Sequence, residues 1–494
     1  MDINGLTRTA PQPGAAPLNA AALQPATKAV AESEAKATAP QMSISATAAA
    51  PPFTRPAPTE RVTNVEPPTT GGEWDKTLER ALNNMPDARS WQAISRGLGQ
   101  LSQYSAIEQR ATTRLTPRTE GAAEAKIISQ SSLGRMSFSA TLASGTTVTF
   151  SVNARAGLEQ AGGALVAFRS IDVQFSSDAE LTEEEQAELD ELSKHLGAFV
   201  GDFVSDGEPD LSRLKLAESS AIESLQLNLH TADEQTLSLY YTRNAKNTVL
   251  EMNWNGRSLD LTIQRGETSH QELAGLRETL LEYLDKARAD SSDTKVLIQA
   301  LSLFNASDDK TLTAQADKSA ALLTGLPDYQ LNFKGQVEYP SRRNEHHDKY
   351  SGIRLLSIGQ STHTETNNGA TSISQIQNIN LEAAYFTSLP HLEDVDLTRE
   401  NFKWHQLDES LQILSQQTWK NDRIENASVQ RLASIQNLQQ TWSEGKLIDE
   451  RRDEQQDINT TDVLFLLKAA NESSDSYSKK QAKEKLNDLL HPLY

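Results

Sequence analysis

The sequence predicts an α+β protein: antiparallel β-meanders, each backed by helices, between a disordered N-terminus and a helical C-terminal region. Three observations predict it. Short segments alternate apolar with Ser, Thr or Asn at a period of two. Amphipathic stripes stepped by three and four residues follow them. Eleven of the 18 prolines crowd into residues 1–68, where Phe53 is the only aromatic.

Taken in order, residues 1–70 are expected to be a disordered leader, because an Ala/Pro/Thr-rich segment cannot bury enough apolar surface to offset the entropy of ordering. Prolines interrupt every window that could serve as the apolar core of a secretory signal. Residues 71–125 read as helical, with Trp74, Leu78, Leu82, Trp91, Ile94, Leu98 and Leu101 on one stripe. Pro86 and Asp87 divide that stretch in two.

The first β-unit, 126–215, opens with a hairpin of Phe138–Leu142 and Val148–Val152 around Ala143-Ser144-Gly145-Thr146. A third strand spans Val166–Phe175, with a phase slip near Ser170 that reads as a bulge. Thr182 and Glu185 form a capping box for a helix whose apolar stripe is Leu189, Leu192, Leu196, Phe199 and Phe203.

The second unit, 216–325, repeats the pattern. Its strands centre on Leu227, Leu239, Met252 and Leu261, and Asn255-Gly256 supplies a two-residue turn. Helices over Leu273–Leu284 and Val296–Phe304 close it, and the likeness of the two units raises a duplication. A third β-region, 326–392, holds alternating Tyr329, Leu331, Phe333 and Ile379, Leu381, Ala383, Tyr385. For 393–494 the steps Val429, Leu432, Ile435, Leu438 and Trp442 predict a helical hairpin, with Val463–Leu467 as a docking face.

Composition excludes several chemistries. The chain has no cysteine among 494 residues, so it has no disulfide, thiolate metal site or cysteine nucleophile. Its net charge of −20 argues against nucleic acid as a partner. No apolar run is long enough for a membrane-spanning helix.

No catalytic, metal or cofactor site is assigned. Glu345-His346-His347-Asp348, with His363 further on, is the densest set of metal-ligand types. It lacks helical ligand spacing, and Arg342, Arg343 and Lys349 would repel a cation, so it reads as a surface loop. His195, His391 and His405 stand apart from one another. Asp202–Asp210 contains a glycine but not the alternating acids of a calcium loop, and reads as a helix-ending turn. Gly162-Gly163 reads as a turn rather than a phosphate cradle. Lys479–Lys485 reads as a basic helix end.

Several segments resemble a family of Gram-negative bacterial proteins of unknown function. They are Ser137–Phe150, the helix start Phe175–Glu185, Phe199–Gly207, Leu225–Leu229 and Leu326–Phe333. The resemblance implies an Ala/Ser/Thr-rich N-terminus and scarce cysteine, and implies no activity or site residues. The function expected from all this is a bacterial, non-enzymatic interaction protein with a protein partner. It is expected to be exported or surface-displayed without a Sec-type signal. Two alternatives are a hydrolase with dispersed Asp, Glu and His, and a cytoplasmic scaffold acting through its C-terminal helices.

Overall fold

The structure is a computed structural model. It describes residues 59–66, 72–117, 126–161, 164–219, 222–264, 270–306, 322–335, 352–421, 423–472 and 474–490. All of them belong to one compact unit, Ala57–Tyr494. The rest of the leader, Gly162-Gly163 and Glu345–Asp348 lie outside the described residues.

The α+β class holds. Fifteen antiparallel strands form a single sheet in the order β1-β2-β5-β4-β3-β6-β7-β8-β9-β10-β11-β12-β13-β14-β15. In its first half are β1 (Thr59–Glu66), β2 (Ala106–Pro117), β3 (Lys126–Leu142), β4 (Thr147–Ala161) and β5 (Ala164–Ser177). They continue into β6 (Ile222–Thr231), β7 (Thr236–Arg243), β8 (Asn247–Trp254) and β9 (Arg257–Gln264). The second half runs β10 (Tyr329–Lys334), β11 (Gly352–Asn367), β12 (Ala370–Thr387), β13 (Phe402–Lys420), β14 (Arg423–Ser443) and β15 (Lys446–Asp462). The first and second β-units are therefore continuous, joined by antiparallel pairing of β3 with β6, Phe138 opposite Leu227.

Helices cover one face. α1 (Glu73–Asn84), α2 (Ala88–Leu101) and α3 (Glu183–Asp206) bury Trp74, Trp91, Leu98, Phe199 and Phe203 in one core with Phe138, Phe150 and Phe175. The Ser95 hydroxyl of α2 meets Met136 Sδ of β3 at 3.6 Å. Further along, α4 (His270–Lys286), α5 (Ser291–Ala300) and a 3₁₀ turn at Leu301–Ala306 take over, Phe304 meeting Tyr329 edge-on at 5.3 Å. At the far end, α6 (Leu464–Glu472) and α7 (Ser476–Leu490) seat Leu467, Leu486 and Leu490 in the same core, and Gln377 donates to the Leu490 carbonyl at 3.1 Å. Val463 and Leu467 dock inward while Phe465 is 82% exposed, so that apolar run buries only part of itself.

The local signals work as their chemistry requires. Thr182 accepts from the Glu185 amide, and the Glu185 carboxylate accepts from the Thr182 amide. Asn255 and Gly256 both have positive φ (44° and 84°), as a type I′ turn demands.

Five expectations need correction. The helical reading of 393–494 holds only for Leu464–Glu472 and Ser476–Leu490; residues 402–462 are three long strands. The steps from Val429 to Trp442 misled because β14 is partly buried on both faces, so its apolar residues fall on odd and even positions alike. Lys479–Lys485 consequently sits in the first two-thirds of α7 rather than at a helix end. The stretch 71–125, read as helical, turns at Ser102 and becomes β2 from Ala106, whose Gln109 and Ala111 are buried beneath the helices. Within the expected disordered leader, Thr59–Glu66 pairs with β2 as the sheet's first edge. Ser170 marks no bulge: β5 pairs with β4 in unbroken register, and Ser170 and Ile171, on opposite faces of the strand, are both buried.

Candidate functional site

Each strand sends alternate side chains to opposite faces. One set forms the core under the helices; the other set forms a face that no described helix covers. Strand register turns this second set into transverse rows. One row runs Ser176–Thr149–Ser139–Gln226–Tyr240 across β5, β4, β3, β6 and β7. It continues through Glu251, Asp260, Asn332, Ser357, Asn380, Ser410 and Ser434 to β14. Every member of this twelve-strand row is polar, although it crosses the middle of the sheet. The neighbouring row places Ser137, Asn228, Ser238, Asn253 and Ser258 side by side.

Many of these side chains bond to one another across strands. Thr149 and Ser176 hydroxyls lie 2.7 Å apart, Gln412 donates to Asn378 at 2.9 Å, and Ser357 donates to Asn332 at 2.9 Å. Other contacts are long: Asn228 to Ser137 and Ser151 to Gln174 are each 3.5 Å. At the centre of the row Glu251 opposes Asp260, and partial burial holds the Asp260 carboxyl above the usual carboxylate range.

Over β2, β5, β4, β3 and β6 this face carries an open groove of about 580 Å³. Ser137, Ser139, Thr149, Ser151, Gln174, Ser176, Gln226 and Asn228 line it, and among the described lining residues Glu108 is the only charged one. Gln174 donates to Glu108 at 3.3 Å, which ties that carboxylate to one wall. Beyond the groove, Asp172 receives both Arg110 and Arg155, a closed ion cluster rather than a free anion or cation.

The second polar cluster is structural. Arg257, at the start of β9 and 12% exposed, faces Glu208 at 3.0 Å and Asp290 at 3.2 Å. Its Nε also lies 2.9 Å from Asp293 Oδ1, an ion-pair distance without hydrogen-bond alignment. Burial pushes the Asp293 carboxyl up to about 7 against the pull of Arg257, and Asp290 and Glu208 push the same way. Glu208 also accepts from Trp254 Nε1 at 3.1 Å. The cluster therefore clamps the end of α3, the start of α5 and the β8–β9 turn together.

The residues weighed from sequence fall as follows. In Asp202–Asp210, Gly207 ends α3 in the left-handed region (φ 74°), and three of the four acids are taken by protein cations: Asp202 by Arg213, Glu208 by Arg257, Asp210 by Lys295. His195 lies 3.4 Å from Glu191 one turn back on α3. His363 is exposed near the tip of β11, and His391 lies in an exposed turn. His405 stacks on Tyr385 at 4.8 Å and contacts the Thr387 hydroxyl at 3.0 Å; burial, with Lys403 and Arg288 nearby, holds its pKa below the ordinary value. The structure does not bring these histidines together. Among the described residues no group of three or more His, Asp and Glu is placed to hold a metal ion. No described helix is long and apolar enough to cross a membrane.

Sequence reasoning noted Ser and Thr on the wet sides of the strands but missed the groove. The signal was present in Ser137-Phe-Ser139, Thr149-Phe-Ser151, Gln174-Phe-Ser176 and Gln226-Leu-Asn228, each a polar pair flanking one core residue. Comparison of the chain with protein-family models, curated proteins and solved structures finds no match.

Proposed function

We infer that this chain is a non-catalytic binding protein that presents the uncovered polar face of its sheet to a partner. The observation carrying this reading is the row from Ser176 to Ser434: an apolar face would be a core lacking its cover, whereas a continuous polar face is built to meet solvent or a hydrated surface. Hydroxyl-radical footprinting of the intact chain against fractions of the producing organism tests it. Protection concentrated on even-numbered residues of β5 and β6 and odd-numbered residues of β3 and β4 is expected. Protection restricted to α1–α5 would overturn it.

For the scaffold alternative the described residues of the C-terminal helices offer two exposed apolar side chains, Phe465 of α6 and Tyr477 of α7, few beside a polar row that crosses twelve strands. The hydrolase alternative gains no favouring observation. Export without a Sec-type signal belongs to the same proposal, supported by the cysteine-free composition. Blotting of cells and cell-free medium beside a cytosolic control should find the chain in the medium, and deletion of residues 2–60 should retain it inside. Complete retention of the intact chain under several growth conditions would remove export from the reading.

A further inference from the structure

We propose that the groove over β3, β4, β5 and β6 binds a neutral oligosaccharide strand. This rests on the reading of the uncovered polar face as the binding surface and narrows its ligand to one chemical class. Charge is the first argument. The chain carries −20 overall, yet among the described lining residues one carboxylate, Glu108, is the only charge, and Gln174 engages it. An anionic polymer would need clustered Arg and Lys here, and a cationic one a set of unpaired acids.

Hydrogen-bonding capacity is the second. Hydroxyls and carboxamides both donate and accept, which is what a pyranose hydroxyl requires of its partner. They repeat every ~4.8 Å from strand to strand and about 6.6 Å along each strand, a grid on which successive sugar rings meet equivalent groups. The long contacts Asn228 to Ser137 and Ser151 to Gln174, both 3.5 Å, are weak enough to exchange for ligand.

Tyr240 is the third. It is 40% exposed and stands directly beside Gln226 on the same face. An amphipathic ring beside this groove, whose hydroxyls and carboxamides alternate with Phe138, Phe150 and Phe175, offers an apolar surface to the C–H face of a sugar and a hydroxyl to its edge. A peptide partner fits less well. The groove lies inside the sheet, where backbone groups are already paired, so strand addition is closed to it.

The test uses the full chain with hexasaccharides of β-1,4-glucose, β-1,3-glucose and β-1,4-N-acetylglucosamine, and with polygalacturonate, followed by saturation-transfer NMR and titration. At least one neutral hexasaccharide should bind. Tyr240→Ala and Gln226→Ala should each weaken it by about tenfold, Ser176→Tyr should abolish it by filling the groove, and Lys194→Ala on the exposed side of α3 should leave it unchanged. Each variant is compared at an unaltered thermal midpoint, so lost binding is separated from lost folding. Failure of all three neutral ligands, equal binding of polygalacturonate, or binding that survives Tyr240→Ala with Gln226→Ala overturns the proposal. If footprinting protects this face with a protease-sensitive fraction while no hexasaccharide binds, the binding-face reading stands and the saccharide assignment falls.

Discussion

Arg257→Ala should cost about 3–5 kcal/mol at pH 8, measured as a shift in the denaturant midpoint. The substitution strands Glu208, Asp290 and Asp293 against one another at the junction of α3, α5 and the β8–β9 turn. Asp293, with a side chain only 5% exposed, dominates the penalty; Asp290, 44% exposed, is screened by solvent and contributes least. The loss should shrink at pH 5, because a protonated Asp293 needs no cation. The sign follows from linkage. A carboxyl raised to about 7 in the folded chain binds more protons folded than unfolded between its ordinary value near 3.8 and 7. Its contribution is therefore fully present below about 4 and is lost as pH rises through about 7. Asp293→Asn should flatten that part of the profile and raise stability at pH 8. An Arg257→Ala penalty that is equal at pH 5 and pH 8 would show that the cluster acts through packing instead. Glu185 and Asp210 run the other way. Hydrogen bonds from Ser144 and Thr182 hold Glu185 down at about 2. Burial of Asp210 is outweighed by Lys295, Ser212 and Gln299, so that it too lies at about 2. Their contributions are present above about 4 and disappear as pH falls toward 2.

Gly134→Ala should destabilise the sheet by about 2–4 kcal/mol, the sum of a left-handed backbone penalty and a steric one. Gly134 has φ 125°, and an added Cβ would lie 2.5 Å from Trp91 Cζ2 and 2.9 Å from the His230 carbonyl oxygen. It therefore strikes two things at once: the buried indole of α2 and the β3–β6 pairing, Gly134 opposite Thr231, that joins the two β-units. Gly145→Ala is the control. Its φ is 91°, but nothing lies within 4 Å of the added atom, so only the conformational part of the cost remains. Equal unfolding midpoints for the two variants would mean that the junction yields to the methyl group.

Much of the fold was legible because its determinants are local. Alternation at Phe138–Leu142, Leu225–Leu229 and Leu250–Trp254 reports one covered face, and Asn255-Gly256 closes a hairpin through residues that tolerate positive φ. The Thr182–Glu185 box starts a helix wherever the chain lies. The long strands from 402 to 462 escaped that reading. With both faces of β14 partly buried, apolar residues occupy both parities, and the turn at Glu444-Gly445 uses a glutamate where Asn or Asp is the usual signal, though both residues have positive φ (49° and 74°). Asn368-Gly369, with φ 49° and 75°, was a turn signal between β11 and β12 that went unread.

The candidate site was legible only in its parts. Ser139, Thr149, Ser176, Gln226 and Tyr240 each read as a wet strand position, but their common row depends on register across five strands. By itself the sequence determined the α+β class, the helix start at Thr182 and which side of most early strands would be buried. These follow from side-chain period, backbone preference and hydrogen bonds reaching three or four residues. Only the tertiary structure decided that one sheet spans the β-units, that β1 and β2 join it, and that scattered hydroxyls and amides form a groove. Strand order and register are set by contacts between residues far apart in the chain, such as Ser137 and Asn228, 91 positions from one another. No local pattern encodes those distances, because the free energy that selects them comes from closing the shared core.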